Sequence, residues 1–397
     1  MGRSTCFRSA IGYVRDMPRA QRHTFFAVCA PGIEPLLHAE TKALRLAKVE
    51  RQVGGVRFEG TIHDAWRANL HLRTAIRVLL RLERFPAANE DTLYRGVRDI
   101  DWRRFISSES SLVVAAQTRE SRLDHSLFIE QRTKDAIADQ FLERDGVRPS
   151  VDKESPDLVV HVHFWRDRCT LSVDTSGASL HKRGWRCYQG RAPLAETLAA
   201  AIVLASGWNG KAPLIDPFCG SGTLLVEAAL IANNIPPGSF RDLFAFERFP
   251  DHDVGAWKTM RASALNEVAD KRKVTLMGND ADRAAVEGAR ENLVRAGLDG
   301  QVELAVGDAA SIEYKSGWNA SIVTNPPYGE RVGDASELTH VYRRFGEMLR
   351  SRCGGYSLTL LAGNERLARC LALRPTKGMK VSNGALPCEL LQYEIPK

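Results

Sequence analysis

Apolar positions recur along the chain with two different rhythms, and the change falls near Arg191. Before it, the alternation predicts a strand over Phe25–Cys29, a helix with Ile33, Leu36 and Leu37 inward, a strand over Val53–Phe58, a helix over Ile62–Leu70 and an alternating strand over Ala75–Leu82. A second α+β unit follows, with a strand at Leu112–Thr118, a long helix over Ser126–Leu142, and a hairpin of Leu158–Trp165 and Cys169–Asp174 turning at Arg166, Asp167 and Arg168. Beyond Arg191, strands at Leu214–Asp216, Val274–Asp280, Val302–Val306, Ser321–Thr324, Tyr356–Ala362 and Leu390–Tyr393 alternate with helices at Leu194–Ala205, Thr223–Ala232, Asp282–Gly297 and Leu338–Arg352. Strands separated by amphipathic helices predict an open parallel sheet covered on both faces. The fold class is α/β, with a doubly wound C-terminal domain behind an α+β module.

Charge sharpens this division. Residues 1–190 carry 31 Lys and Arg against 24 Asp and Glu, and residues 191–397 carry 24 against 24, so the whole excess of +7 lies N-terminally. A basic module joined to a neutral one suits capture of a polyanion beside a catalytic domain. Met1–His23, with five arginines and one acid, reads as a basic, disordered arm or an import segment, while Cys6 breaks the myristoylation pattern. No apolar run reaches the ~20 residues of a membrane span. Eight scattered cysteines without metal-ligand spacing point to a reducing compartment, the cytoplasm, and to no metal.

The candidate chemistry lies where strands end. Leu214–Asp216 runs into Pro217, Phe218, Cys219, Gly220, Ser221, Gly222 and Thr223, an apolar strand entering a glycine turn and then a helix, where doubly wound sheets bind ligands. Gly220 and Gly222 let the backbone approach a ligand, and the helix start favours an anionic group, a nucleotide phosphate or a methionine carboxylate. A P-loop would need a lysine that is absent, and a dinucleotide fingerprint a third glycine at Leu225 and an earlier acidic strand end. Asp280 ends the next strand, where a carboxylate can accept from both ribose hydroxyls, and Asp308, followed by Ala309, can accept from an adenine amine. Asp282 serves as a helix cap. Asn325, Pro326, Pro327 and Tyr328 follow the fourth strand. The prolines fix Asn325 and the Pro326 carbonyl as adjacent acceptors for an amine, and Tyr328 can stack on a base.

With these motifs in order, the chain resembles the class I methyltransferases bearing an N-P-P-Y amino-methylating motif, and more narrowly the THUMP-domain RNA guanine-N2 methyltransferases that act on large-subunit ribosomal RNA. The resemblance runs from about Phe25 to the end. It includes Gly54–Gly55–Val56–Arg57–Phe58, Asp174–Thr175–Ser176–Gly177, His181–Lys182–Arg183–Gly184–Trp185–Arg186, Ala192–Pro193–Leu194–Ala195–Glu196–Thr197–Leu198–Ala199 and Asn325–Pro326–Pro327–Tyr328–Gly329–Glu330–Arg331. It implies a Rossmann-like class I S-adenosylmethionine-dependent methyltransferase domain over 193–397, a ferredoxin-like unit over 24–70, a THUMP RNA-binding domain over 71–178 and a linker over 179–192. It further implies that S-adenosylmethionine is held by Asp216, Gly220, Gly222, Asp280 and Asp308, with Pro217, Phe218, Cys219, Thr223 and Ala309 beside them, and the target amine by Asn325, Pro326 and Tyr328. Lys182, Arg183 and Arg186 are candidates to touch RNA. The partner is RNA, 23S ribosomal RNA or an assembling large subunit.

Two departures are visible. Related large enzymes continue into a second methyltransferase module, for which no room is expected before Lys397, so only the amine-directed activity carries over. The segment before Phe25 has no counterpart. Four rivals stay open: transfer-RNA guanine N2, adenine N6 of DNA, glutamine methylation of a protein, and a ribosome-assembly factor with a vestigial fold.

Overall fold

The computed structural model describes residues 21–190, 193–268, 274–315, 317–328 and 335–397. The first twenty residues of the basic arm, and Ala192 and Gly329–Arg331 of the motifs above, lie outside the described residues.

The N-terminal half runs β1 (His23–Val28), α1 (Glu34–Ala43), β2 (Ala47–Gln52), β3 (Gly55–Gly60), α2 (Ile62–His71), β4 (Arg77–Pro86), α3 (Glu90–Arg98), β5 (Ser111–Arg119), α4 (Ser126–Asp145), β6 (Ser150–Val151), β7 (Leu158–Trp165) and β8 (Arg168–Asp174). Its strands form one sheet in the order β2-β3-β1-β4-β8-β7-β5-β6. The two α+β units therefore share a sheet, with β4 pairing β1 on one side and β8 on the other. Phe25, Phe58, Leu80, Leu171 and Val162 alternate onto the face that Leu37, Trp66 and Phe141 cover. Local chemistry sets the ends. Thr61 and Asp64 form a reciprocal cap on α2, the Asn89 side chain caps α3, and Gly146 at φ +72 terminates α4. Arg166 and Asp167, at φ +50 and +57, make the tight β7–β8 turn where the alternation predicts one.

The C-terminal half runs α5 (Glu196–Ala205), β9 (Leu214–Asp216), α6 (Thr223–Ala232), α7 (Val254–Asn266), β10 (Leu276–Asp280), α8 (Arg283–Arg295), β11 (Val302–Val306), β12 (Ser321–Thr324), α9 (Ala335–Arg352), β13 (Ser357–Ala362), α10 (Glu365–Arg369), β14 (Lys377–Asn383) and β15 (Leu386–Glu394). Its sheet is ordered β11-β10-β9-β12-β13-β15-β14, parallel from β11 to β13, with β15 antiparallel to both its neighbours. Chain order reverses between β9 and β12, which opens a crevice at their carboxyl ends. The predicted strand over Leu390–Tyr393 lies in the C-terminal half of a longer β15, folded back on β14 through Gly384 at φ +61.

The halves are locked together. Arg183, expected as a candidate RNA contact, is instead buried, 2% exposed. Its guanidinium pairs with the fully buried Glu227 of α6 at 3.3 Å and donates to the carbonyls of Leu180 at 2.9 Å and Arg73 at 2.5 Å. Arg73 in turn donates to the Ile235 carbonyl at 2.9 Å, and Glu40 accepts the Arg73 and Thr74 backbone N–H groups at 2.8 and 3.0 Å. Arg241 gives hydrogen bonds to the carbonyls of Ser176, Ala178, Ser179 and Lys182. Beside it Trp66 of α2 stacks on Phe246 and meets Trp257 of α7 edge-on.

Removing one member of a buried ion pair strands the other charge, at a cost of about 3–5 kcal/mol. Glu227→Ala is thus expected to lower the unfolding free energy by that amount in urea titrations, with the Arg183→Met/Glu227→Leu double variant recovering much of it. Unchanged stability in Glu227→Ala would show that the pair does not hold the halves together.

Candidate active site

Two strand ends flank the crevice. Asp216 closes β9 and is 1% exposed; its Oδ1 accepts from the Thr324 hydroxyl at 2.7 Å and the Phe218 N–H at 3.2 Å, while its buried Oδ2 has no partner among the described residues. Thr324, which the sequence reading did not single out, thereby ties the end of β12 to the end of β9. Gly220 at φ +52 and Gly222 at φ +76 make the turn that follows. A Cβ on Gly220 would meet only open space, so no neighbour is packed against the turn there, whereas one on Gly222 would press on Ala289 at 3.0 Å.

Asp280, at the end of β10, receives the Gly220 N–H on Oδ2 at 2.8 Å and the Asp282 N–H on Oδ1 at 2.9 Å. Asp282 caps α8, as expected. Asp308 caps a short 3-10 turn through Ala310 N–H at 2.7 Å and pairs with Arg344 of α9 at 2.8 Å. Each oxygen of Asp280 and Asp308 keeps acceptor capacity after these bonds. Ala309 is buried, and Phe218 meets Phe345 edge-on at 5.2 Å.

The linker is built into this site. Arg186, the second arginine expected to be available to RNA, instead spends its guanidinium on Glu196 at 2.7 Å, the Leu194 carbonyl at 2.9 Å, and the Ser221 and Thr223 hydroxyls at 3.4 and 3.1 Å. It is a brace of the glycine turn. Fully buried Asn292 of α8 adds a second, accepting the N–H groups of Cys187 and Tyr188 and donating to the Ser221 carbonyl. Of the three candidates Lys182, Arg183 and Arg186, only Lys182 is exposed.

On the other side of the crevice Asn325 leaves β12 with its Oδ1 buried and without a donor among the described residues. Pro326 is buried, and the Pro327 carbonyl accepts from Tyr342 at 3.2 Å. The Tyr328 ring lies against Gly363, where a Cβ would sit 2.0 Å from the ring, and its hydroxyl accepts from Asn383 of β14 at 3.0 Å. Burial pushes the Tyr328 phenol up to about 12, so it stays protonated. Gly363 and Asn383 carry no motif signal in the sequence.

An aliphatic core under a rim of carboxylates disfavours a polyphosphate and favours a ligand that is cationic and rich in hydroxyl and amine donors. Methionine-linked adenosine, with a sulfonium and an α-amine, has that chemistry, and the space at Gly220 and the unpartnered Asp216 Oδ2 fit it. Among the described residues no cluster of His, Cys, Asp or Glu could hold a metal, and no helix is long and apolar enough to cross a membrane.

Comparison with known proteins agrees with this arrangement. Residues 183–392 match the RMKL-like methyltransferase domain, 87–174 the THUMP domain and 24–79 the RlmL ferredoxin-like domain. The chain belongs to the RMKL-like methyltransferase family, and its C-terminal domain is a class I methyltransferase fold. It is 43% identical to the ribosomal RNA large subunit methyltransferase K/L of Methylococcus capsulatus over 377 residues, which cover 94% of this chain and 51% of that protein. A Synechocystis protein named as an RNA methyltransferase is 37% identical, with 95% of this chain and 98% of that one covered. The chain spans about half the length of the K/L relatives. A methyltransferase crystallised with SAH superposes with a TM-score of 0.86 at 31% identity, covering 95% of this chain and 99% of its own. A Listeria monocytogenes protein titled as an N6-adenine-specific DNA methylase gives the same score and identity.

Burial raises the Asp216 carboxyl from 3.8 to about 7; nearby Asp280 adds to the shift, and the Thr324 and Phe218 hydrogen bonds oppose it. The folded state keeps a proton that the unfolded chain has released, so stability falls as pH rises through this window and the loss is constant above it. Measured by urea unfolding against pH, Asp216→Asn should gain stability relative to the parent chain between pH 3.8 and about 7. A pH-independent difference would mean that the carboxyl titrates normally.

Proposed function

We propose that the chain transfers a methyl group from S-adenosylmethionine to the exocyclic N2 of guanine in RNA, with 23S ribosomal RNA as its substrate in the cytoplasm. The observation that carries the reading is the Oδ1 of Asn325, just past the end of β12, which is buried and without a donor among the described residues. The large-subunit ribosomal RNA named in its relatives and the THUMP match support RNA as the partner, and the SAH in a neighbouring structure supports the cofactor.

On this reading Asp216, Gly220, Gly222, Thr223 and Asp280 hold the cofactor, with Pro217, Phe218, Cys219, Asp308 and Ala309 around it. When bound, S-adenosylmethionine supplies an electrophilic methyl group on its sulfonium. Asn325 Oδ1 accepts one hydrogen of the guanine amine and the Pro326 carbonyl accepts the other. Two acceptors on one amine draw its lone pair out of conjugation with the ring and aim it at the incoming carbon. Tyr328, fixed by Gly363 and Asn383, supports the face of the base. The nitrogen becomes acidic on alkylation, and its proton leaves to water. Tyr328 keeps its own proton throughout, and placement rather than a strong base provides the acceleration.

The deciding experiment incubates the chain with labelled S-adenosylmethionine and, separately, unmodified ribosomal RNA, transfer RNA and DNA, followed by mass spectrometry of the nucleosides. N2-methylguanosine in large-subunit RNA is expected. The same nucleoside in transfer RNA would keep the mechanism and change the substrate, N6-methyladenine in DNA would replace the base, and cofactor binding with no transfer to any of them would favour an assembly role. Asn325→Ala should lower turnover by about 10²–10³-fold while SAH binding, followed by calorimetry, stays unchanged. Undiminished turnover would remove Asn325 from the mechanism.

A further inference from the structure

The open face of the N-terminal sheet carries a groove that the mechanism does not use. It has a volume of about 550 Å³ across β3, β1, β4, β8 and β7, and Arg57, Arg81, Arg84 and Arg168 line it together with Trp165. Four arginines from three strands converge there because of an irregularity in β4. Strand residues an odd number apart normally point to opposite faces, but the register of β4 against β8 slips between Arg81 and Glu83. After the slip Arg84 sits opposite Thr170, while before it Arg81 sits opposite Ser172 and Thr24, so both arginines reach the groove.

Among the groove's lining residues the four arginines face a single acid, Glu83. Arg57 is paired with Glu50 and Glu59, but among the described residues Arg81, Arg84 and Arg168 form no ion pair. Burial, with Arg57 and Arg84 adding to it, pushes Arg81 down to about 10. At the rim Trp165 is 42% exposed, with the Arg166 guanidinium 4.8 Å above its ring. Such a groove is made for a chain of anions with flat groups between them.

We propose that this groove binds the backbone of a single-stranded stretch of the RNA substrate, with Arg81, Arg84 and Arg168 on successive phosphates and Trp165 stacking an unpaired base. The inference rests on the reading of the substrate as RNA. A duplex would bury its bases and leave Trp165 without a partner. The eight residues of β4 from Arg77, at the junction with the catalytic half, to Arg84 span roughly 23 Å. The groove therefore grips RNA well away from the target base.

The test uses the full chain and the double variant Arg84→Glu/Arg168→Glu, both positions being exposed on the strand surface. Polarisation of a labelled single-stranded 12-nucleotide RNA should show affinity reduced at least tenfold, and the slope of log affinity against log salt should shrink by about 1.4, at ~0.7 per lost phosphate contact on a single strand. Trp165→Ala should weaken the same RNA without altering the slope. Thermal unfolding and SAH binding should match the parent. Parent-like RNA affinity in the double variant, or tighter binding of duplex RNA or DNA than of the single strand, overturns the assignment. The readout needs no methyl transfer, so loss of RNA binding in a chain that methylates no RNA would keep the groove and reject the guanine-N2 reading alone.

Discussion

The buried contact between Arg183 and Glu227 is the constraint on which the arrangement of the molecule depends. Glu227 lies on the helix that starts at the glycine turn, and Arg183 reaches it from the linker while also holding the Arg73 carbonyl at the end of the N-terminal ferredoxin-like unit. Interfaces between domains of one chain usually permit relative motion. Here two charges out of water demand their partners, because separating the halves would strand both. The aromatic cluster of Trp66, Phe246 and Trp257 adds apolar area beside them. The glycine turn is consequently positioned by the same residues that position the N-terminal sheet.

Within the crevice the organising feature is a surplus of acceptors. Asp216 Oδ2, at the end of β9, and Asn325 Oδ1, just past the end of β12, are both buried without donors among the described residues, beside the reversal of chain order. Leaving a buried acceptor unpaired costs about 1–3 kcal/mol. Sites that bear such a cost are complete only with a donor-bearing ligand, and the two orphans call for different ones, a cationic ligand beside Asp216 and an amine beside Asn325. The same geometry explains why the hydroxyl of Thr324 matters: it fixes Asp216 to the strand from which Asn325 projects.

Much of this was legible in the sequence where side-chain period and turn chemistry agree. The β7–β8 hairpin alternates cleanly and turns at two polar residues, and the acids at the strand ends sit where the apolar runs stop. Edge strands were not legible: β2, Ala47–Gln52, has no buried residue, and β14, Lys377–Asn383, buries only Val381, so neither shows a period. Helix α7 escaped for a related reason, since only Trp257 and Ala264 are buried over thirteen residues. Arg183 and Arg186 stood as candidates for RNA because sequence spacing cannot show that the first meets a carboxylate 44 residues away on α6 and the second packs on Glu196 and the Thr223 hydroxyl. Gly363 and Asn383 act through contact with Tyr328 alone, which leaves no local trace.

The distribution of charge then acquires a physical reason. A crevice rimmed by Asp280 and Asp308 over the buried Asp216 suits a cationic cofactor and disfavours the phosphates of a nucleic acid, so it can admit a base edge but is poorly made to hold the chain that carries it. Affinity for a polyanion has to be generated elsewhere and transmitted through a rigid frame. All of the excess positive charge lies in the first 190 residues, and part of it converges in an arginine groove on the far end of a sheet that the Arg183 and Glu227 pair fixes to the catalytic half. Keeping the two apart lets each site have the electrostatics that its own ligand requires, which one shared pocket could not.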